Sequence, residues 1–218
     1  MSYALSETFY TLQGEGFYTG TPAQFIRFAG CNLWSGSDVD RDRDAERSGA
    51  ACPRFCDTDF ATRARTGVDG LLELLEAPDD VPLIVLTGGE PLLQVDQQLV
   101  DALHRRFPSA VVALETNGTR RILVTGIDWI CVSPKVAPDR IFVRAGNELK
   151  VVVPAYDPSI FAELASGFDH RWVTAEAQTS SVGESLIVGD RLRSAAQWVL
   201  RNPSWRLTLQ GHKVIGIR

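Results

Sequence analysis

The chain has 218 residues, 44% hydrophobic and 22% charged, with a formal net charge of −5. That length and composition suit one substantial globular domain, and the negative balance excludes a general electrostatic grip on nucleic acid or an anionic membrane. Met1 to Glu7 carry neither a basic start nor a following apolar stretch, and nowhere do eighteen apolar residues run together; the expectation is a cytoplasmic protein without a membrane span.

In chain order, Gln24 to Phe28 alternates polar and apolar residues, as a half-buried strand does. Leucines at 71, 72, 74 and 75 predict a helix over Gly70 to Ala77, closed by Pro78. Pro82 to Leu86 reads as a buried strand that runs into Thr87-Gly88-Gly89-Glu90-Pro91. Val95, Leu99, Val100, Leu103 and Phe107 share one helical face. Ala110 to Leu114, Asp128 to Val132, Leu149 to Val153 and Trp172 to Thr174 read as further strands. Leu192, Ala195, Ala196, Val199 and Leu200 give an amphipathic helix stopped by Asn202-Pro203, before a last strand over Trp205 to Leu209. Such alternation predicts an α/β fold with a parallel sheet or barrel. The polar, glycine-containing signatures fall just after the strands, where such folds place their sites.

Ser35 to Ala51 is dense in Asp and Arg and reads as a solvated loop or exposed helix. It separates Cys31 from Cys52 and Cys56. In a reducing compartment four cysteines are not a disulfide framework. Three thiolates suit an iron–sulfur cluster with one iron left open, while zinc would need a fourth ligand from Cys131, His104, His170 or His212. Spacing alone leaves both readings open. Cys131, inside a strand, reads as a small core residue.

Eight segments in order carry a resemblance over nearly the whole chain: Phe9 to Gly16, Arg27 to Trp34, Phe55 to Phe60, Thr87 to Pro91, Glu115 to Thr119, Asp128 to Lys135, Asn147 to Val152, and His212-Lys213. Together they resemble the 7-carboxy-7-deazaguanine synthases, a family of radical S-adenosylmethionine (SAM) enzymes. The resemblance implies a partial (β/α) barrel of the radical SAM type in one domain, with 35–51 as an insertion between cluster cysteines. It implies reductive cleavage of SAM at a [4Fe–4S] cluster, hydrogen abstraction from 6-carboxy-5,6,7,8-tetrahydropterin, and ring contraction to 7-carboxy-7-deazaguanine with loss of ammonia.

By the same resemblance Cys31, Cys52 and Cys56 ligate the cluster, and Thr58 helps to hold Mg²⁺. Phe55, Cys56, Asp57, Gly88, Gly89, Glu90, Glu115, Ser133, Pro134 and Lys135 face SAM. Leu12, Gln13, Gly14, Glu15, Arg27, Thr87, His212 and the Arg218 α-carboxylate face the pterin. A homodimer and an electron donor such as flavodoxin are further implications; no nucleic acid and no membrane are expected as partners. The chain departs from the family in its cysteine gaps of twenty and then three residues, and in Ala175-Glu176-Ala177-Gln178, which stands where a Gln-Pro contact to SAM is usual. These differences keep another small heterocycle open as substrate. A glycyl-radical activase and a zinc-stapled binding module are the remaining alternatives.

Overall fold

Amphipathic helices between apolar strands build a parallel sheet, because each crossover covers the outer face of the strands it joins. The structure is a computed structural model that describes residues 2–176, 178–179, 185–186 and 189–217. Its strands are β1 (Tyr3–Leu12), β2 (Pro22–Phe28), β3 (Ala64–Thr66), β4 (Leu83–Gly88), β5 (Val111–Thr116), β6 (Trp129–Val132), β7 (Gly146–Val153), β8 (Phe168–Ala175), β9 (Gln178–Thr179), β10 (Ser185–Leu186) and β11 (Arg206–Leu207). The helices are α1 (Arg41–Ser48), α2 (Val68–Glu73), α3 (Gln97–Arg106), α4 (Ala162–Ala165), α5 (Asp190–Arg201) and α6 (Gly211–Ile215). Among the described residues nine strands form one sheet, in the order β11-β8-β7-β6-β5-β4-β2-β1-β3. Neighbours from β2 to β11 run parallel, and β1 and β3 pair antiparallel at the other edge.

The sheet curls. In that order β1 stands seven positions from β11, roughly 33 Å away in a flat sheet at about 4.8 Å per strand. Yet the Gly211 amide donates to the Gly14 carbonyl at 2.9 Å, and the Gly16 amide to Thr208 Oγ1 at 2.8 Å. These residues lie too close to their strand ends for the chain to bridge a flat sheet. The result is an open, partial barrel.

Strand alternation then sorts the side chains. On β4, Leu83 and Val85 face the concave interior with Phe9, Phe25 and Ala113, while Ile84 and Leu86 pack outward against Leu71 of α2 and Leu99 and Leu103 of α3. Leu99 and Leu103 are fully buried, each worth about 1.5–3 kcal/mol against exposure. A second outer cluster joins Val132, Leu149, Val151 and Val173 to Leu164 and Ala195. At the strands' amino ends the β1–β2 loop fills the barrel. Phe17 stacks on His170 at 4.7 Å and packs on Trp129 at 4.8 Å, with Tyr18 against Trp129 at 4.9 Å. Glu148 fastens this plug, accepting from the Phe17 amide at 2.9 Å and from Trp129 Nε1 at 2.5 Å.

The sequence reading needs correction in three places. β2 is buried on both sides rather than one: Gln24 is 0% exposed, and its Oε1 accepts from the Glu76 and Ala77 amides at 3.0 and 2.9 Å. A polar residue there ties the end of the α2 segment to the sheet, and α2 itself stops at Glu73. The 35–51 segment takes the exposed helical form of the two that were read, with a buried anchor added. It carries α1, whose Asp44 is fully buried and accepts from the Ser35 amide at 2.8 Å. The tail after β11 folds as the short helix α6, which was not among the expected elements.

Candidate active site

Loops at the strands' carboxyl ends converge over the open side of the barrel. Cys31 follows β2 through Gly30, whose φ of +82° only glycine adopts readily. Cys52 opens a 3-10 turn, Cys52–Arg54, and the Cys56 amide returns to the Cys52 carbonyl at 2.8 Å. All three thiols line one cavity, together with Phe55, Asp57, Thr58, Gly88 and Gly89. Glu115, Ser133 and Lys135 line it as well. Burial, first, and then the neighbouring thiols push Cys52 up to about 12, against the pull of Lys135; burial also raises Cys31. Such thiols give up their protons when a cation replaces them.

This donor set fits an iron–sulfur cluster. Three thiols share one cavity wall, while among the described residues no three His, Cys, Asp or Glu side chains converge on a single ion. A cluster presents several iron corners to separated thiolates, whereas a zinc site draws its ligands around one centre.

A second cavity adjoins the first, with Glu15, Thr58, Thr87, Glu115, Lys150 and Gln210 common to both. Its remaining walls include Leu12, Gln13, Gly14, Arg27 and His212. Arg27 Nε pairs with Glu7 at 3.0 Å, and its guanidinium lies 5.6 Å from the Phe9 ring centroid. Gly14 has to be glycine, because a Cβ would meet His212 Nδ1 at 2.2 Å. Burial holds His212 below the usual histidine range, though Glu15 pulls the other way.

Between the cavities lies a polar floor in which Lys150 and Gln210, not assigned a role from the sequence, join Glu15 and Glu115. Lys150 Nζ meets Glu15 at 2.6 Å and stands 3.9 Å from Glu115. Glu115 accepts from Gln13 Nε2 at 3.1 Å and from Thr87 Oγ1 at 3.3 Å, and Gln210 Nε2 donates to Glu15 at 2.9 Å. Burial, the largest influence, would raise Glu15; the Lys150 ammonium together with hydrogen bonds from Lys150 and Gln210 outweighs it and holds the carboxyl down at about 2. The legible signal was a lysine inside the apolar run Leu149 to Val153. Cys131 lines the same cavity as well as packing in its strand, so it is more than a core residue.

Two of the residues assigned to SAM, Glu90 and Pro134, lie outside the cavity lining. Glu90 is 0% exposed and does not line the cavity; it accepts from the Leu92 amide at 3.0 Å, Thr116 Oγ1 at 2.7 Å and the Asn117 amide at 2.9 Å. Pro134 is buried outside the lining, between Ser133 and Lys135, which do line it. Asp57 faces the cavity but is ion-paired to Lys213 of α6. Gly88 and Gly89 are glycines for packing, since a Cβ on either would strike the Phe28 or Gly30 carbonyl within 2.3 Å. Arg218 and Ala177 lie outside the described residues.

An open parallel barrel that gathers three thiols at its strand ends, above a chamber with buried charge, has the build of a radical SAM enzyme. No family model matches the chain. It is 45% identical over 227 residues to the 7-carboxy-7-deazaguanine synthase of Burkholderia multivorans, and 44% identical over 231 residues to that of Bordetella pertussis, with 100% of both chains covered each time. The crystal structure of QueE from Escherichia coli shares the fold, with a TM-score of 0.67 and 22% identity over 97% of this chain and 95% of that one. This chain therefore belongs to the 7-carboxy-7-deazaguanine synthase family, radical SAM lyases that use a [4Fe–4S] cluster and Mg²⁺.

Proposed function

We propose that this chain, as a single domain interrupted at 35–51, converts 6-carboxy-5,6,7,8-tetrahydropterin to 7-carboxy-7-deazaguanine. The observation that carries the reading is the pair of adjoining cavities, one lined by Cys31, Cys52 and Cys56, the other by Arg27 and His212. The three cysteines hold the cluster, and Phe55, Gly88, Gly89, Ser133 and Lys135 form the walls against SAM. Bound there, the cluster and SAM supply the abstraction of a hydrogen atom from the substrate. Thr58, on the wall of both cavities, offers its hydroxyl to Mg²⁺, an ion that keeps several waters and needs few protein ligands.

In the second cavity the Arg27 guanidinium receives the substrate carboxylate, since a planar fork of donors matches its two oxygens. Gln13, Gly14, Glu15, Thr87 and His212 hydrogen-bond the pterin edges, and Leu12 covers the ring. The Lys150–Glu15–Glu115 floor keeps those acceptors fixed and dry, so that the ring is oriented before hydrogen transfer. Glu90 positions the turn after β5 rather than touching SAM. Asp57 shapes the wall through Lys213. The Arg218 α-carboxylate is assigned to the pterin by resemblance alone, as are a homodimer and a flavodoxin-type reductant, whereas a cytoplasmic address rests on the sequence reading. No helix among the described residues is long and apolar enough to cross a membrane.

Anaerobic reconstitution with iron and sulfide tests the first half: a brown protein whose reduced-cluster EPR signal moves on adding SAM is expected. A colourless chain with one tightly bound zinc would end the proposal. Mass spectrometry of 6-carboxytetrahydropterin turned over with SAM and dithionite tests the second half.

A further inference from the structure

The segment between Cys31 and Cys52 sends one side chain back to the cysteine loop. Arg41, at the start of α1, donates through Nη1 to the Pro53 carbonyl at 2.5 Å and the Cys56 carbonyl at 3.2 Å, and through Nη2 to the Cys56 carbonyl at 3.2 Å. Asp38 steadies the guanidinium at 2.7 Å, and the Trp34 ring centroid lies 4.3 Å from its Cζ. The turn's own amides go elsewhere: Arg54 to Ala51, and Phe55 and Cys56 to Cys52.

Pro53 is the first of the three residues between the second and third cysteines, and Cys56 closes the stretch. One planar cation thus ties the start of that stretch to its end, which a lysine's single ammonium cannot do with the same fork. We infer that Arg41 is a positioning residue for the cluster, holding the Cys52–Cys56 loop in its ligating shape and setting a positive charge beside it. The insertion and the longer second gap are therefore two halves of one device. The inference rests on the reading of Cys31, Cys52 and Cys56 as cluster ligands. A cation near the cluster favours its reduced, more negative state, so loss of Arg41 makes the reduction potential more negative.

The test reconstitutes wild-type protein, Arg41→Ala, Arg41→Lys and Arg54→Ala anaerobically. Arg54 is the control, a half-exposed arginine of the same loop paired to Asp42 at 2.8 Å. Iron and sulfide per chain, iron loss to a chelator and the potential followed by EPR are then read. Arg41→Ala should lose iron about tenfold faster, the scale set by hydrogen bonds from a charged donor, at a more negative potential. Arg41→Lys should recover the potential but not the slow loss, and Arg54→Ala should match wild type. Wild-type iron loss and potential in Arg41→Ala overturn the inference. If metal-free Arg41→Ala fails to fold by circular dichroism, Arg41→Lys decides, and wild-type iron loss in it overturns the inference. A wild-type chain that takes up no four-iron cluster defeats the cysteine reading and this inference with it, whereas a wild-type cluster equalled by Arg41→Ala defeats this inference alone.

Discussion

The rim and the floor of the chamber handle charge in opposite ways. At the floor, Lys150 is paired with Glu15 and stands near Glu115 before any ligand arrives, and Gln13, Thr87 and Gln210 supply further hydrogen bonds. At the rim, burial pushes Cys31 and Cys52 up, with Glu90 and Cys56 adding to it at Cys31 and the neighbouring thiols at Cys52, while the Leu33 and Trp34 amides pull Cys31 back and the Lys135 ammonium pulls Cys52 back. The floor is finished by folding; the rim is finished by metal. A region of the first kind stabilises the protein and orients a ligand, and one of the second kind exists to bind.

The sharpest break of that contrast is at the rim. Cys52→Ala should abolish cluster uptake and all SAM cleavage, measured as iron per chain and 5′-deoxyadenosine formed, while leaving the metal-free melting temperature near wild type. At the floor the order reverses. Lys150→Met leaves the nearly buried Glu15 carboxylate and the partly exposed Glu115 without their cation and should cost about 3 kcal/mol in urea unfolding, with or without metal.

Two smaller effects refine the comparison. Arg27→Ala should keep its cluster and SAM-dependent EPR shift but bind the carboxylated pterin about tenfold or more weakly, as the loss of a charged hydrogen-bonding partner predicts; equal binding refutes the assignment. Glu15 is held below the ordinary carboxylate range in the folded chain. Its contribution is therefore complete above the unfolded carboxyl's pKa and fades as pH falls through the folded value. Metal-free wild type should lose more stability than Glu15→Gln as the pH is lowered from 5 toward 2, about the range between those values, followed by thermal melts. The smallest change belongs to Glu90→Gln. Its amide replaces one acceptor oxygen by a donor, so about 1–3 kcal/mol of stability should go while SAM affinity, read by calorimetry, stays put.

Much of this was legible before the fold was known, and the pattern of failures is physical. The buried run Leu83 to Leu86 and the α3 face are local periodicities that fold as read, and α5 forms where it was read, though Leu200 of its face points to solvent. The cavity walls were found because motifs sit at strand ends, a place that strand order fixes. What stayed hidden depends on partners far away in the chain. Gln24 looks like a surface residue until its two amide partners, over fifty residues on, come to it. Arg41 looks solvated until Pro53 and Cys56 turn their carbonyls toward it. Glu90 sits in a ligand-like motif, but its oxygens are used within the protein.

The Phe17–Trp129–His170 stack gives the chamber a closed heel. Molecules then come and go by the strand-end side, so a stack that never meets the chemistry decides the direction from which they reach it.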